Sequence, residues 1–159
     1  NTGHLILTSV HASNCVETIT RFSHLGISPQ VLINKVRLLV SQRLLPRSCQ
    51  RCCREQTPTA ELLRIFGLSN STKIKVSTGC ELCDGTGISG RIALFETLRP
   101  NDFLKDFIAM NGYQESEVKK VAISQNYRPI ILGIRSSLVK GLISQQIALR
   151  AIGLDPSLF

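Results

Sequence analysis

The chain has 159 residues, 43% of them hydrophobic, which is enough apolar material for one domain or two small ones, and it has no apolar run near the roughly 20 residues that cross a bilayer. Six cysteines are too few for a disulfide scaffold at this length, and no apolar leader of secretory type precedes them, so thiols in a reducing compartment are expected. Nineteen Lys and Arg against eleven Asp and Glu give +8, which suits an acidic partner such as nucleic acid, nucleotide phosphate, anionic lipid or an acidic protein face without choosing among them.

The first eleven residues, Asn1 to His11, lack an initiator methionine and pass through Leu5-Ile6-Leu7, an apolar run that predicts a buried strand at the tail of an α/β domain in an excised fragment. Asn14 with Glu17 three residues on is a capping pattern, and Val16, Ile19, Phe22 and Leu25 follow at helical spacing before Gly26. After Ser28-Pro29, the positions Val31, Leu32, Val36, Leu39, Val40 and Leu44 predict a second helix that Pro46 closes.

Two C-x2-C pairs come next, Cys49/Cys52 and Cys80/Cys83, with 27 residues between them. Each such turn lets two sulfurs converge on one centre at about 2.3 Å, and two turns complete the closed tetrahedron of a structural zinc. Gly85 and Gly87 follow the second pair, where a tight turn points backbone amides at sulfur. Two disulfides, or buried thiols with no partner, are the alternatives. Cys53 adjoins Cys52 and could replace it in a C-x3-C pair, and Cys15 reads as a small buried hydrophobe. Four thiolates around Zn2+ would carry about −2 and lower the net charge to about +6. Between the pairs, Thr59 to Phe66 predicts a short helix ended by Gly67, and Lys73 to Val76 a strand. Neither buries much alone, so the metal is expected to be the main source of order there.

Arg91 to Leu98 predicts a strand that exits at Arg99-Pro100-Asn101. Helices are predicted over Asp102–Met110, Gln114–Gln125, Arg128–Val139 and Ser144–Ile152, with Gly112, Gly141 and Gly153 at the breaks.

Thr2-Gly3-His4-Leu5, followed by His11, resembles the histidine box of the type II secretion and type IV pilus assembly ATPases, a family of hexameric motors. Arg21 and Gly26 fit the helix after that box, Ser41-Gln42-Arg43-Leu44 fits the alanine-glutamine-arginine-leucine element before the cysteines, and the C-x2-C pairs match the family's tetracysteine zinc motif. Gly90-Arg91-Ile92 and Phe95-Glu96 match the element that follows. The chain departs from the family at Ala12 and Ser13, where threonine and asparagine are usual, and it holds no G-x-x-x-x-G-K-[ST] loop and no acidic Walker B strand before Asn1.

The resemblance implies an α/β to α+β fold: residues 1–47 as the end of a RecA-like ATPase domain, 48–91 as the zinc module, and 92–159 as a helical C-terminal domain. It implies His4, His11 and Arg21 near nucleotide, with His11 as a sensor, and Cys49, Cys52, Cys80 and Cys83 on zinc. For the intact protein it implies ATP and Mg2+ as cofactors and hydrolysis coupled to protein export or pilus assembly. Its partners would be its own copies in a hexamer and the cytoplasmic domains of inner-membrane platform proteins, at the cytoplasmic face of that membrane. This stretch is not expected to hydrolyse ATP alone, because phosphoryl transfer needs the phosphate cradle and magnesium carboxylate absent from it.

Two other functions fit part of the pattern. Cys80 to Gly87 matches the C-x-x-C-x-G-x-G unit of J-domain cochaperones, but Cys49 to Arg54 has no glycine pair. A zinc-ribbon nucleic-acid binder would use Lys35, Arg37, Arg43, Arg47, Arg51 and Arg54, yet aromatic residues are only 5% and no tryptophan is present, so stacking platforms are scarce and nucleic acid is not the expected partner.

Overall fold

Hydrogen-bonded helix caps supplied by side chains open most of the helices in the computed structural model, which describes residues 3–153. Asn14 accepts from the Glu17 amide at 2.8 Å to start α1 (Cys15–His24), and Ser28 with Pro29 behind it starts α2 (Pro29–Lys35). Strand β1 (Leu39–Ser48) and strand β2 (Cys53–Gln56) precede α3 (Ala60–Phe66), which Thr59 caps and Gly67 ends at φ +57. Then come β3 (Ile74–Ser77), a 3-10 turn at Glu81–Cys83 and β4 (Ile88–Leu98). Four helices complete the described chain: α4 (Asp102–Asn111), α5 (Glu115–Ser124), α6 (Ile130–Val139) and α7 (Gln145–Ala151). No helix among the described residues is long and apolar enough to cross a membrane.

Two compact units share these elements. The first takes the residues up to Ser41 together with Glu96–Pro129. Its core gathers Val16, Ile19, Ile33, Leu104, Ile108 and Val118 from α1, α2, α4 and α5, all buried. Polar links reinforce it: Tyr113 donates its hydroxyl to the Val16 carbonyl at 2.9 Å, and Thr20 donates to Glu115 at 2.7 Å.

The second unit takes Gln42–Phe95 and the residues from Ile130 onward. Strands β2 and β3 pair antiparallel, Cys53 opposite Ser77 and Gln56 opposite Ile74. Leu62 and Phe66 of α3, Ile74 of β3, Ile134 and Leu138 of α6, Ile143, and Leu149 of α7 form its core. At Gly141 the loop between α6 and α7 passes so close to Lys75 that a Cβ would lie 2.6 Å from that side chain. Strands β1 and β4 make a second two-stranded sheet, and each contributes residues to both units.

The helices expected after Asn14, at Thr59 to Phe66 and along the last 60 residues are present, as are the strands at Lys73 to Val76 and Arg91 to Leu98, their ends shifted by up to three residues. Three elements differ. Residues 3–12 form no strand, and Leu5, Ile6 and Leu7 are 74%, 80% and 88% exposed. Apolar character alone does not make a strand, whose amides and carbonyls need a neighbouring ladder, and no described strand offers one here. Asn1 and Thr2, part of that expected strand and of the histidine box, lie outside the described residues.

The second helix stops at Lys35 instead of running to Pro46. Val36 turns extended at φ −69, ψ 131, and Leu39 to Leu45 bury alternate positions, Leu39 and Leu45 inside, Val40 and Leu44 outside. Leucines and valines at 39, 40 and 44 satisfy either period, and pairing with β4 decides for the strand. Strand β2, Cys-Arg-Glu-Gln, carries no apolar alternation of its own and exists as the partner of β3.

Candidate metal centre

Both cysteine pairs sit where the backbone has just left regular structure. Cys49 follows the last residue of β1, and Cys52 precedes β2. Cys80 caps the 3-10 turn that contains Cys83, and Asp84 then takes a left-handed conformation at φ 48, followed by Gly85 at φ 72 and Gly87 at φ 69. The two halves are stitched together by backbone: the Cys49 amide donates to the Gly87 carbonyl at 2.8 Å and the Thr78 amide to the Cys52 carbonyl at 3.3 Å. Gly79 must be glycine, since its φ is +93 and a Cβ would lie 2.4 Å from the Gly85 oxygen.

This framework brings the Sγ atoms of Cys49, Cys52, Cys80 and Cys83 within 4.8 Å of one another. Cys49 and Cys80 are 3.9 Å apart, Cys52 and Cys83 3.9 Å, Cys80 and Cys83 3.7 Å. A tetrahedron with zinc–sulfur bonds of about 2.3 Å has edges of about 3.8 Å, so the cluster has the size of a closed zinc site. A disulfide would need about 2.05 Å, and all six cysteines are free thiols. The four cysteines could therefore hold a metal ion. Cys49 and Cys83 are buried and the other two half-buried, which shields such an ion.

Hydrogen bonding and charge in the cluster point the same way. The Cys80 amide donates to the Cys83 sulfur at 3.2 Å. Burial pushes the Cys83 thiol up, but the backbone at Cys80 and Gly87 and the thiols of Cys80 and Cys52 outweigh it and bring the group to about 7. Cys52 is pushed up to about 11 by burial and, against a backbone hydrogen bond at Gly79, by the thiols of Cys49, Cys83 and Cys80. A divalent cation bound by cysteine takes its ligands as thiolates, so uptake of such an ion would release protons.

Cys53 stays outside the cluster. Its sulfur lies 3.0 Å from the Cys49 carbonyl and 3.3 Å from Ser77 Oγ, and Ser77 donates to the same carbonyl at 3.1 Å. Gln50 ties the first pair to the loop between α6 and α7, donating to the carbonyls of Ser48 at 3.0 Å and Gly141 at 2.9 Å. Neither role was visible in sequence, because both depend on which strand lies alongside.

His4, His11 and Arg21 are exposed, and no group of metal-ligating side chains among the described residues contains a histidine. Arg21 lies in the last turn of α1, where a cation offsets the helix dipole. The residue that sequence reading left without a role is Glu96, only 2% exposed. Its carboxylate accepts from the Cys15 amide, at the first turn of α1, at 2.5 Å and from the Tyr127 hydroxyl at 2.7 Å. The signal was present in the alternation Leu94, Glu96, Leu98, which places a carboxylate on the inward register of β4.

Comparison with known proteins agrees with this arrangement of motifs. A family model described as "Type II/IV secretion system protein" matches residues 1–150. The chain is 34% identical over 125 residues, 76% of its length, to the type IV pilus assembly ATPase PilB of Thermus thermophilus, and 31% identical over 146 residues, 89% of its length, to PilB of Myxococcus xanthus. It is 27% identical over 150 residues, 94% of its length, to the type II secretion system protein E of Klebsiella pneumoniae. The chain spans 14%, 24% and 30% of the lengths of these three relatives.

Proposed function

Because the chain belongs to the Type II/IV secretion system protein family, we propose that it forms the C-terminal portion of a hexameric ATPase whose hydrolysis of ATP drives protein export or assembly of a pilus or pseudopilus. The names of the relatives, ATPases of pilus assembly among them, support that activity for the intact protein. Residues 1–47 then act as the end of a RecA-like domain, 48–91 as the zinc module and 92–159 as the helical C-terminal part. His4, His11 and Arg21 lie toward nucleotide in this reading, while the phosphate loop and the magnesium carboxylate come from other parts of the protein. Without them this stretch does not hydrolyse ATP.

The observation that carries the zinc module is the set of four sulfurs 3.7 to 3.9 Å apart across three measured edges. Cys49, Cys52, Cys80 and Cys83 would hold the ion. A zinc closed by four thiolates has no open position, so what it supplies is folding free energy. The chain's own residues do the rest: Gly79 and Gly87 permit the tight turns, and Ser77 with Cys53 holds the Cys49 carbonyl. Such a rigid lobe suits contact with neighbouring subunits and with the cytoplasmic domains of an inner-membrane platform, where the protein would act peripherally.

The test uses the intact protein. Cys80→Ser and Cys83→Ser are expected to lower zinc content from one ion per chain and to abolish export or pilus assembly, while nucleotide affinity stays within about twofold of wild type. Loss of nucleotide affinity in step with loss of zinc contradicts the assignment.

A further inference from the structure

Within the first unit, the end of α2 and the start of α4 border an open cleft of about 440 Å³. Lys35, Arg37, Arg99 and Lys105 line it, with Val36 and Pro100 between them. Of these four cations, Lys105 is paired, 2.8 Å from Asp102. Lys35, Arg37 and Arg99 enter no ion pair among the described residues. Lys35 has an ordinary explanation in the last turn of α2, where a cation offsets the helix dipole. Arg37 and Arg99 have none of that kind. Arg37 lies beyond the helix, and Arg99 stands before Pro100, which restricts it to extended backbone.

Gathering like charges around a concave surface costs energy unless a counter-ion offsets it, and such a surface concentrates anions. Two guanidinium groups supply planar pairs of donors that match phosphate oxygens, and the ammonium groups supply point charges. Three unpaired cations are matched by a ligand with about three negative charges, and a concavity of this size holds a compact polyanion while a flat bilayer cannot enter it.

We propose that this cleft binds a small soluble anion bearing two or more phosphate groups. Isothermal titration of the zinc-loaded full chain with sodium pyrophosphate at low salt is expected to give saturable one-to-one binding that weakens as salt rises. The double variant Arg37→Gln/Arg99→Gln, melting with wild type, is expected to bind about tenfold or more weakly, and Lys35→Gln about threefold more weakly. Phosphatidylglycerol vesicles are expected to retain the chain no better than phosphatidylcholine vesicles. The proposal is overturned by the absence of saturable heat, by unchanged affinity in both variants, or by binding confined to anionic vesicles. A chain that binds pyrophosphate but takes up no zinc leaves this cleft standing while removing the metal assignment, so the two readings fail separately.

Discussion

Glu96 is the buried charge on which the first unit turns. A carboxylate with 2% exposure is tolerated because the α1 amide at Cys15 and the Tyr127 hydroxyl both donate to it. Glu96→Ala leaves two buried donors without an acceptor and is expected to cost about 3 kcal/mol in chemical denaturation, whereas Glu96→Gln keeps an acceptor oxygen and is expected to cost clearly less. Its neighbour Cys15 is held from about 9.0 up to about 12, first by burial and then by the Glu96 charge, and Tyr127 is raised for the same reasons. A thiol with a raised folded pKa keeps its proton in the native state after the unfolded chain has lost it. Stability from Cys15 is therefore complete below about pH 9 and falls as pH climbs toward about 12, and Cys15→Ala is expected to flatten that slope in denaturant titrations across the same window. Among the glycines, Gly79→Ala meets the Gly85 oxygen at 2.4 Å and is expected to cost roughly 2 to 4 kcal/mol and to weaken metal retention, while Gly85→Ala, with nothing within 4 Å, is expected to cost about 1 kcal/mol. Metal content and thermal melts of the two variants check the pair.

At the scale of elements, helix α3 shows how local signals and packing combine. Thr59 accepts from the Leu62 amide at 3.3 Å, Gly67 ends the helix in the left-handed region, and Leu62 and Phe66 face the core of the second unit. Seven residues are too few to be stable alone, so the cap matters in proportion, and Thr59→Ala is expected to cost about 1 kcal/mol in equilibrium unfolding. The opposite case is β1, whose leucines and valines suit a helix as well as a strand. Its conformation follows from β4 alongside, which a local reading cannot see.

The whole molecule consists of two units, each assembled from two stretches of chain. The four cysteines all belong to the second, and both tyrosines, Tyr113 and Tyr127, to the first. Chelation is therefore expected to remove amide protection from β2, β3 and the turn at Glu81–Cys83 while leaving the near-ultraviolet tyrosine signal in place. Hydrogen exchange and circular dichroism with and without chelator read the two halves of that expectation, and loss of the tyrosine signal together with the protection contradicts it.

Much of the four-sulfur cluster was legible beforehand, because C-x2-C spacing and the glycines after Cys83 are local devices whose geometry depends on a few bonds. The cap at Asn14 was readable for the same reason: a side chain three residues from the amide it serves needs no distant partner. What the sequence by itself determined is thus the set of short-range pieces, the turns, the caps and the family to which their order belongs. Only the tertiary structure decided that Cys52 and not Cys53 joins the sulfur cluster, that Leu39 to Ser48 is a strand, and that Glu96 is held by residues 81 and 31 positions away along the chain. Each of those outcomes rests on contacts between segments far apart in sequence, and no local pattern encodes which segment will lie alongside.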